Sequence, residues 1–296
     1  MMLSLSNDFL TVTFSENGAT LTSIKDKEGI EYLWQGDANY WSGQAPVLFP
    51  NCGSVRNDKT IFASAGHVEG SLPRHGLVRK KVFEVTHHDD NSIAFSIQST
   101  KEMLDNYPFA FELTILYTLS DKTITTTYQI KNKDAKKMPF FIGGHPGFNC
   151  PIKEDESYDD YYLEFEKAET TTVPKQFPET GLLDLLDRKD FLNQEKVLPL
   201  SFDLFKEDAI TLDQLESRSV KLLSKNHNKG VQVAFKDFPS LVLWTTPNKG
   251  PFIALEPWLG LSTSLEESDV FEEKRHVQYA QPDELKTYAF DITILG

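Results

Sequence analysis

Apolar and polar residues alternate along much of the chain with a period of two. In the segment 111–119 every odd position is apolar, turn-forming residues follow at 120–122, and a second alternating run covers 124–130. Successive side chains of a strand point to opposite faces of a sheet. The pattern therefore predicts a β-hairpin with one buried and one solvated face.

A second hairpin is predicted over 82–97, where the polar stretch 88–91 separates two short apolar runs. Similar short runs recur along the chain, most of them bounded by Gly, Pro, Asn or Asp: 9–14, 21–24, 161–165, 231–235, 241–244 and 252–255. Only 100–106 and 182–191 are expected to form a turn or two of helix. Many short strands with few helices predict an all-β antiparallel sandwich or barrel. Because no repeat or low-complexity linker interrupts it, the chain is interpreted as one domain, 1–296.

The composition limits the kinds of partner that the protein binds. Hydrophobic residues make up 40% of the 296 residues, which is enough for a large buried core. The 44 acidic residues outnumber the 30 basic ones, and the formal net charge is −14. Nucleic acids and anionic membranes require a basic face on their protein partner, so neither is expected here.

The chain carries no sign of secretion. Cys52 and Cys150 are too few for a disulfide framework and are expected to be buried, small apolar side chains. The start, MMLSLSNDFL, lacks the basic segment and apolar core of a signal peptide. No stretch approaches the roughly 18 apolar residues that span a bilayer. We therefore expect a cytoplasmic location.

One histidine lies in an unusual motif. His145 is surrounded by three glycines and a proline in the segment 140–149, Phe-Phe-Ile-Gly-Gly-His-Pro-Gly-Phe-Asn. Glycine permits close backbone approach and proline stiffens the chain. A histidine held in this way suits proton transfer, because its ordinary pKa of about 6.5 lies near neutrality. A structural histidine in a tight turn fits the local sequence equally well.

A glutamate ends the last of the apolar runs. Glu256 follows the segment 252–255 and precedes Pro257. A carboxyl group at such a place is partly desolvated, which raises its pKa and makes it a better base. Trp258 offers a flat apolar face to a sugar ring. Taken alone, however, the local sequence favours an ordinary edge glutamate paired with an arginine.

Two further loops carry basic residues. The segment 73–79, Pro-Arg-His-Gly-Leu-Val-Arg, offers His75 to a substrate oxygen, and Arg74 and Arg79 to an anion or a cluster of hydroxyls. Arg56 lies in another glycine-containing loop, 51–58. Ordinary surface loops explain both segments equally well.

Taken together and in this order, the segments resemble the aldose 1-epimerase (galactose mutarotase) family, in particular its bacterial LacX-like branch. The resemblance covers most of the chain and implies the large antiparallel β-supersandwich of that family, in agreement with the period-two pattern. The motifs that carry it are Gly18-Ala19-Thr20-Leu21, the Arg56 loop, His75-Gly76, His145-Pro146-x-Phe148-Asn149 and Leu255-Glu256.

The resemblance implies a mechanism for interconverting the α and β anomers of a hexose. Glu256 is the implied general base, which takes the proton of the anomeric hydroxyl, and His145 is the implied general acid, which protonates the ring oxygen. The ring opens, the aldehyde rotates and the ring closes on the other face. The reaction needs no redox cofactor and no metal, so neither is expected.

Five residues are predicted to bind the substrate. By motif match, His75 hydrogen-bonds the sugar near its ring oxygen, Arg56 holds a hydroxyl group and Asp208 grips ring hydroxyls. Trp258 and Arg79 complete the set. The expected partner is a small sugar, and the oligomeric state stays open.

Two departures from the family pattern leave the sugar open. The Arg56 loop reads Asn-Cys-Gly-Ser-Val-Arg-Asn in place of Gly-Arg-x-x-Asn-Arg, and Glu256 is followed by Pro-Trp. One alternative is a hexose-6-phosphate epimerase, because that branch shares a His-Gly-x-x-Arg motif whose last place is Arg79 here. The other is a carbohydrate-binding or sensing protein without turnover, since fold does not fix function.

Overall fold

The computed structural model of the protein describes residues 3–296. The described part contains 22 strands and one short α-helix, α1, at Lys101–Leu104. The strands are β1 Leu3–Ser6, β2 Leu10–Ser15, β3 Thr20–Asp26, β4 Val47–Leu48, β5 Lys59–Phe62, β6 Val68–Ser71, β7 Glu84–His88, β8 Ser92–Gln98, β9 Phe111–Ser120, β10 Thr123–Asn132, β11 Met138–Phe140, β12 Ile142–Gly144, β13 Gly147–Asn149, β14 Tyr161–Phe177, β15 Leu182–Pro199, β16 Ile210–Leu212, β17 Ser219–Ser224, β18 Gly230–Ala234, β19 Ser240–Trp244, β20 Phe252–Leu259, β21 Gln278–Ala280 and β22 Leu285–Leu295.

Two large antiparallel sheets dominate the fold. The larger has nine strands in the order β15-β14-β17-β18-β22-β10-β9-β8-β7. The smaller has six strands, β16-β19-β20-β12-β4 with β13 also paired to β20. A three-stranded sheet, β1-β2-β3, and two strand pairs, β5-β6 and β11-β21, complete the set. The predicted antiparallel all-β architecture is confirmed.

The alternation of the sequence reappears as alternation of burial. In β9 and β10 every second residue is buried, and the register pairs Leu113 with Ile130. The second predicted hairpin is formed by β7 and β8. The inward side chains join one hydrophobic cluster that includes residues from Leu5 to Ile294. Burial of each large aliphatic side chain contributes about 1.5–3 kcal/mol, so this cluster provides most of the stabilisation.

The two helix predictions had different outcomes. The segment 100–106 contains α1, whose start is capped by the Thr100 hydroxyl accepting the Met103 N–H at 3.3 Å. The prediction for 182–191 is wrong, since this segment lies in β15. Leu182 and Leu183 pair with the end of β14 and are buried there, and the backbone hydrogen-bonding groups are satisfied across the hairpin.

No helix in the described part of the chain has the length and apolarity needed to cross a membrane.

Candidate active site

The pairing of β20 brings Glu256 and His145 together. Strand β12 pairs with the end of β20 that follows Glu256, and β13 pairs with the end that precedes it. His145 occupies the gap between β12 and β13. Its neighbour Pro146 accepts a hydrogen bond from the Leu255 N–H at 3.1 Å. The break between the two short strands thus holds the imidazole opposite the middle of β20.

The two side chains are in direct contact. Nε2 of His145 lies 3.3 Å from Oε2 of Glu256, and the indole N–H of Trp258 donates to the same oxygen at 3.1 Å. Only 7% of His145 and 1% of Glu256 are exposed. If Glu256 were a structural edge glutamate, its carboxyl group would be expected to pair with an arginine. The observed partners are instead an imidazole and an indole.

Burial disfavours the charged form of both groups. Desolvation raises the pKa of Glu256 well above its usual value, the Trp258 N–H opposes this rise, and the carboxylate of Asp208 adds to it. Desolvation lowers the pKa of His145 to about 3. Burial therefore favours the neutral form of the pair, with the proton on the carboxyl group, over the ion-pair form. The ion-pair form contains the same proton and differs only by its transfer across the 3.3 Å contact.

The pair lines a cleft of about 1040 Å³, which is large enough for a sugar. Two tryptophans of this cleft flank the imidazole. The ring of Trp41 lies 4.8 Å from that of His145 at an angle of 31°, and the ring of Trp244 meets it edge-on at 5.5 Å. Flat indole faces suit the apolar face of a pyranose.

His75 approaches the pair from the loop 73–79. Its ring lies 5.4 Å from that of His145 and 5.6 Å from that of Trp258. Desolvation lowers the pKa of His75 well below its usual value, and His145 and the nearby arginines lower it further. Nδ1 of this neutral ring accepts the Gly53 N–H at 3.3 Å. The proton therefore lies on Nε2, which is available as a donor to a ligand oxygen.

Asp208, Arg79 and Trp258 also line the cleft. Asp208 has a left-handed backbone conformation, with φ of 88°, and is close enough to Glu256 to raise its pKa. Its carboxylate makes no hydrogen bond or ion pair within residues 3–296. The structure thus brings six of the seven predicted site residues to one cleft: His75, Arg79, His145, Asp208, Glu256 and Trp258.

Arg56 is the residue that the structure does not bring to the cleft. Its guanidinium forms an ion pair with Asp269 at 2.7 Å and donates to the carbonyls of Ser264 and Glu267 at 3.0 and 3.2 Å. These bonds use its donors to fix the loop after β20. Arg56 therefore has a structural role in this loop and is not part of the candidate active site.

The family model for aldose 1-epimerase matches residues 1–277 of the chain. The chain belongs to the aldose 1-epimerase family. Membership supports an epimerase type of activity on sugars, without identifying the substrate.

Three known proteins resemble the chain over nearly its full length. The chromosomal protein LacX of Lactococcus lactis subsp. lactis is 54% identical, with 100% of both chains covered. The structure of a galactose mutarotase related enzyme from Lactobacillus acidophilus has a TM-score of 0.92 and 28% identity, covering 99% of this chain and 97% of that one. A galactose mutarotase-like protein from Lactobacillus casei has a TM-score of 0.90 and 30% identity, covering 99% and 100%.

Several cleft residues of this epimerase-family chain were missed from the sequence. Trp41 and Trp244 are not among the residues predicted from the sequence, although Trp41 precedes the polar segment Ser-Gly-Gln, where an aromatic residue indicates a binding role. Gln176, near the tip of the β14–β15 hairpin, lines the cleft and donates to the Thr211 hydroxyl at 2.8 Å. A helix at 182–191 is incompatible with this hairpin, so the sequence prediction does not include this wall of the cleft.

Neither cysteine of this chain lines the cleft. Cys52 and Cys150 are both unbridged and buried. Burial raises the pKa of the Cys52 thiol well above its usual value, and Glu256 raises it further. Both act as small buried side chains, as expected. Within residues 3–296, no group of three or more His, Cys, Asp or Glu side chains is arranged to hold a metal ion.

Proposed function

We propose that the protein is an aldose 1-epimerase (mutarotase) that interconverts the α and β anomers of a hexose. The observation that carries the proposal is the buried contact of 3.3 Å between His145 and Glu256 at the wall of a sugar-sized cleft. An acid and a base at this spacing reach two oxygens attached to one carbon. Those are the oxygens at which ring opening of an aldose requires proton transfer.

The proton balance of the reaction fits this pair. The carboxylate of Glu256 takes the proton of the anomeric hydroxyl while the imidazolium of His145 gives its proton to the ring oxygen, and the C1–O bond breaks. The pair is then in its neutral form, with the carboxyl group protonated. After the aldehyde rotates, the carboxyl group returns its proton to the carbonyl oxygen as the imidazole takes the proton of the attacking hydroxyl.

The surroundings of the pair support both of its forms. Burial favours the neutral form, which follows ring opening. The Trp258 N–H and the anomeric hydroxyl of a bound sugar both donate to the carboxylate and favour the ion-pair form, which precedes opening. Because ring closure reverses ring opening, the reaction passes through both forms of the pair in each direction.

Cleft residues around the pair are suited to hold a pyranose. We assign His75 as a donor to an oxygen of the sugar, Asp208 as an acceptor from ring hydroxyls, and Trp41 and Trp244 as apolar platforms. Trp258 has a second role as the donor that orients Glu256, in addition to the apolar face that its sequence position indicated.

The test is the rate of anomer exchange, measured by NMR on a panel of aldoses. We expect Glu256→Gln and His145→Asn each to lower kcat by about 10²–10⁴, since each removes one proton-transfer group. The matched controls are Glu69→Gln and His67→Asn, two exposed residues outside the cleft, which should retain wild-type rates.

Two results would contradict the proposal. Wild-type turnover in both active-site variants would remove the roles of Glu256 and His145. Binding of sugars by the wild-type protein without acceleration of anomer exchange would instead indicate the sensing protein.

A further inference from the structure

One nitrogen of the His145 ring has no partner among the described residues. Nε2 contacts Glu256, whereas Nδ1 is buried and makes no hydrogen bond with any residue in 3–296. An interaction of His145 with its own backbone favours the charged ring, but Nδ1 does not reach the geometry of a hydrogen bond there. Buried polar atoms of native proteins almost always have a partner, either protein or water. The lone Nδ1 atom therefore indicates a partner that the protein side chains do not supply directly.

The proposed reaction requires a proton on Nδ1 throughout. The imidazolium of His145 carries a proton on each nitrogen and gives the Nε2 proton to the ring oxygen of the sugar. The neutral imidazole must then keep its proton on Nδ1, because Nε2 has to take up a proton again when the sugar ring closes. A buried N–H without an acceptor disfavours this tautomer. Both forms of the His145–Glu256 pair thus need an acceptor at Nδ1.

A second, much smaller cavity adjoins His145. Apart from His145, none of its lining residues lines the cleft. Its volume is about 10 Å³, which gives room for one water molecule. Gly144 and Pro146 line it beside His145, and Thr126 and Tyr128 reach it from β10 of the nine-stranded sheet. A Cβ atom at Gly144 would lie 2.9 Å from the Tyr128 hydroxyl oxygen, so the phenol lies against the backbone next to His145.

Two hydroxyl groups of this cavity have no protein partner. Thr126 and Tyr128 are almost fully buried, and neither side chain makes a hydrogen bond with another residue in 3–296. Tyr117 also lines the cavity, but its hydroxyl donates to the Ala19 carbonyl at 2.9 Å. A hydroxyl group can both donate and accept, and a buried water molecule needs two to four polar partners. The hydroxyls of Thr126 and Tyr128, together with Nδ1 of His145, provide three.

We propose that one water molecule occupies this cavity, accepts a hydrogen bond from Nδ1 of His145 and donates to the hydroxyl oxygens of Tyr128 and Thr126. The role given to this water rests on the epimerase function proposed above. Tyr128 and Thr126 are then positioning residues, which act on the sugar only through His145. They keep the ring proton on Nδ1 and leave Nε2 free to exchange its proton with the substrate.

The first test is the tautomer of His145, read from the nitrogen NMR shifts of its ring and assigned with His145→Asn. We expect the Nδ1–H tautomer in the wild-type protein and a shift towards Nε2–H in Tyr128→Phe. A crystal structure of the wild-type protein should show the water molecule between Nδ1 and the two hydroxyls. A wild-type ring that carries its proton on Nε2, or a cavity that holds no water, would overturn the proposal.

The second test is anomer exchange of glucose and galactose. Tyr128→Phe should lower kcat by about 10- to 100-fold with little change in KM, because support for the charged ring is lost while the contacts to the sugar remain. Thr126→Val should lower kcat by a smaller factor, and Thr126→Ser, which keeps the hydroxyl, should retain the wild-type value. The matched control is Tyr107→Phe, which removes a buried hydroxyl that donates to the Pro139 carbonyl at 2.8 Å and should change neither kcat nor the tautomer.

The outcomes separate the water site from the epimerase function. Equal losses of kcat in Tyr128→Phe and Tyr107→Phe, with the His145 tautomer unchanged in both, would show a packing effect and overturn the proposal. The tautomer and the crystal structure are measured without turnover. Absence of anomer exchange in a wild-type protein that has the expected tautomer and the bound water would therefore contradict only the epimerase function.

Discussion

At the scale of single residues, Glu256 and His145 lie where burial disfavours the charged form of each side chain. A carboxyl group and an imidazole that are almost fully buried both lose hydration that they keep in the unfolded chain. The cost appears as a raised pKa for Glu256 and a lowered pKa for His145. Because the folded and unfolded states then bind protons differently, the pair makes the stability of the fold depend on pH.

Replacing either residue should change stability in opposite pH ranges. The unfolded chain ionises Glu256 above about pH 4.5 while the folded chain keeps it protonated, so the wild-type protein loses stability as the pH rises. Glu256→Gln should therefore gain stability relative to the wild-type protein as the pH rises from about 4.5 to 8. His145→Asn should gain as the pH falls below about 6.5, because the unfolded histidine takes up a proton that the folded one refuses.

Thermal unfolding of each variant at pH 4.5, 6.5 and 8 measures these differences, with Glu69→Gln as the exposed control. A difference in Tm from the wild-type protein that stays constant with pH would show that neither group has a shifted pKa in the folded state.

At the scale of elements, the loop 73–81 positions His75 and Arg79, and a glycine sets its path. Gly76 has φ of 82°, and a Cβ atom there would lie 2.0 Å from the Phe49 carbonyl oxygen. The same carbonyl accepts the Leu77 N–H at 2.8 Å. The loop is therefore fixed against the segment after β4 by a contact that no other residue type allows.

We expect Gly76→Ala to lower the free energy of unfolding by at least about 2 kcal/mol and to reduce anomer exchange by moving His75. Gly66→Ala is a matched control, because Gly66 has φ of 87° and a Cβ atom added there would meet nothing within 4 Å. The control should lose only the part due to the left-handed backbone, about 1–2 kcal/mol. Equal losses in the two variants, measured by denaturant unfolding, would contradict the steric explanation.

At the scale of the whole molecule, the net charge of −14 acts against the compact state. Exposed ion pairs outside the cleft, such as Lys59 with Glu69, contribute little. The excess carboxylates therefore repel one another over the surface. The buried cluster between the sheets must offset this repulsion.

Salt should relieve that repulsion. Raising the ionic strength from about 0.01 M to about 0.15 M shortens the Debye length from about 30 Å to about 8 Å, so the self-repulsion is screened. We expect Tm at pH 7.5 to rise by a few degrees in sodium chloride over this range. A fall in Tm would mean that the surface ion pairs stabilise the fold more than the excess charge destabilises it.

Much of the sheet architecture was predictable from the alternation of apolar residues. The hairpins β7–β8 and β9–β10 were found because strand periodicity and turn residues are local signals. The segment 182–191 is predicted to be helical from its apolar positions 182, 183, 185 and 186, which do not alternate as strand residues do. The segment is a strand because it pairs with β14, and β14 lies outside the segment.

The motifs around His145 and Glu256 indicate the candidate chemistry only as part of the ordered set of segments, because each motif alone fits a structural residue at least as well. Their meeting at 3.3 Å, the diversion of Arg56 to Asp269 and the tryptophans beside the imidazole were beyond the reach of the sequence pattern. Each of these depends on which distant strands pair and in which register, above all on β20 pairing with both β12 and β13. Local pattern dictates that a segment becomes a strand and which side chains turn inward, whereas long-range pairing determines which of those side chains touch.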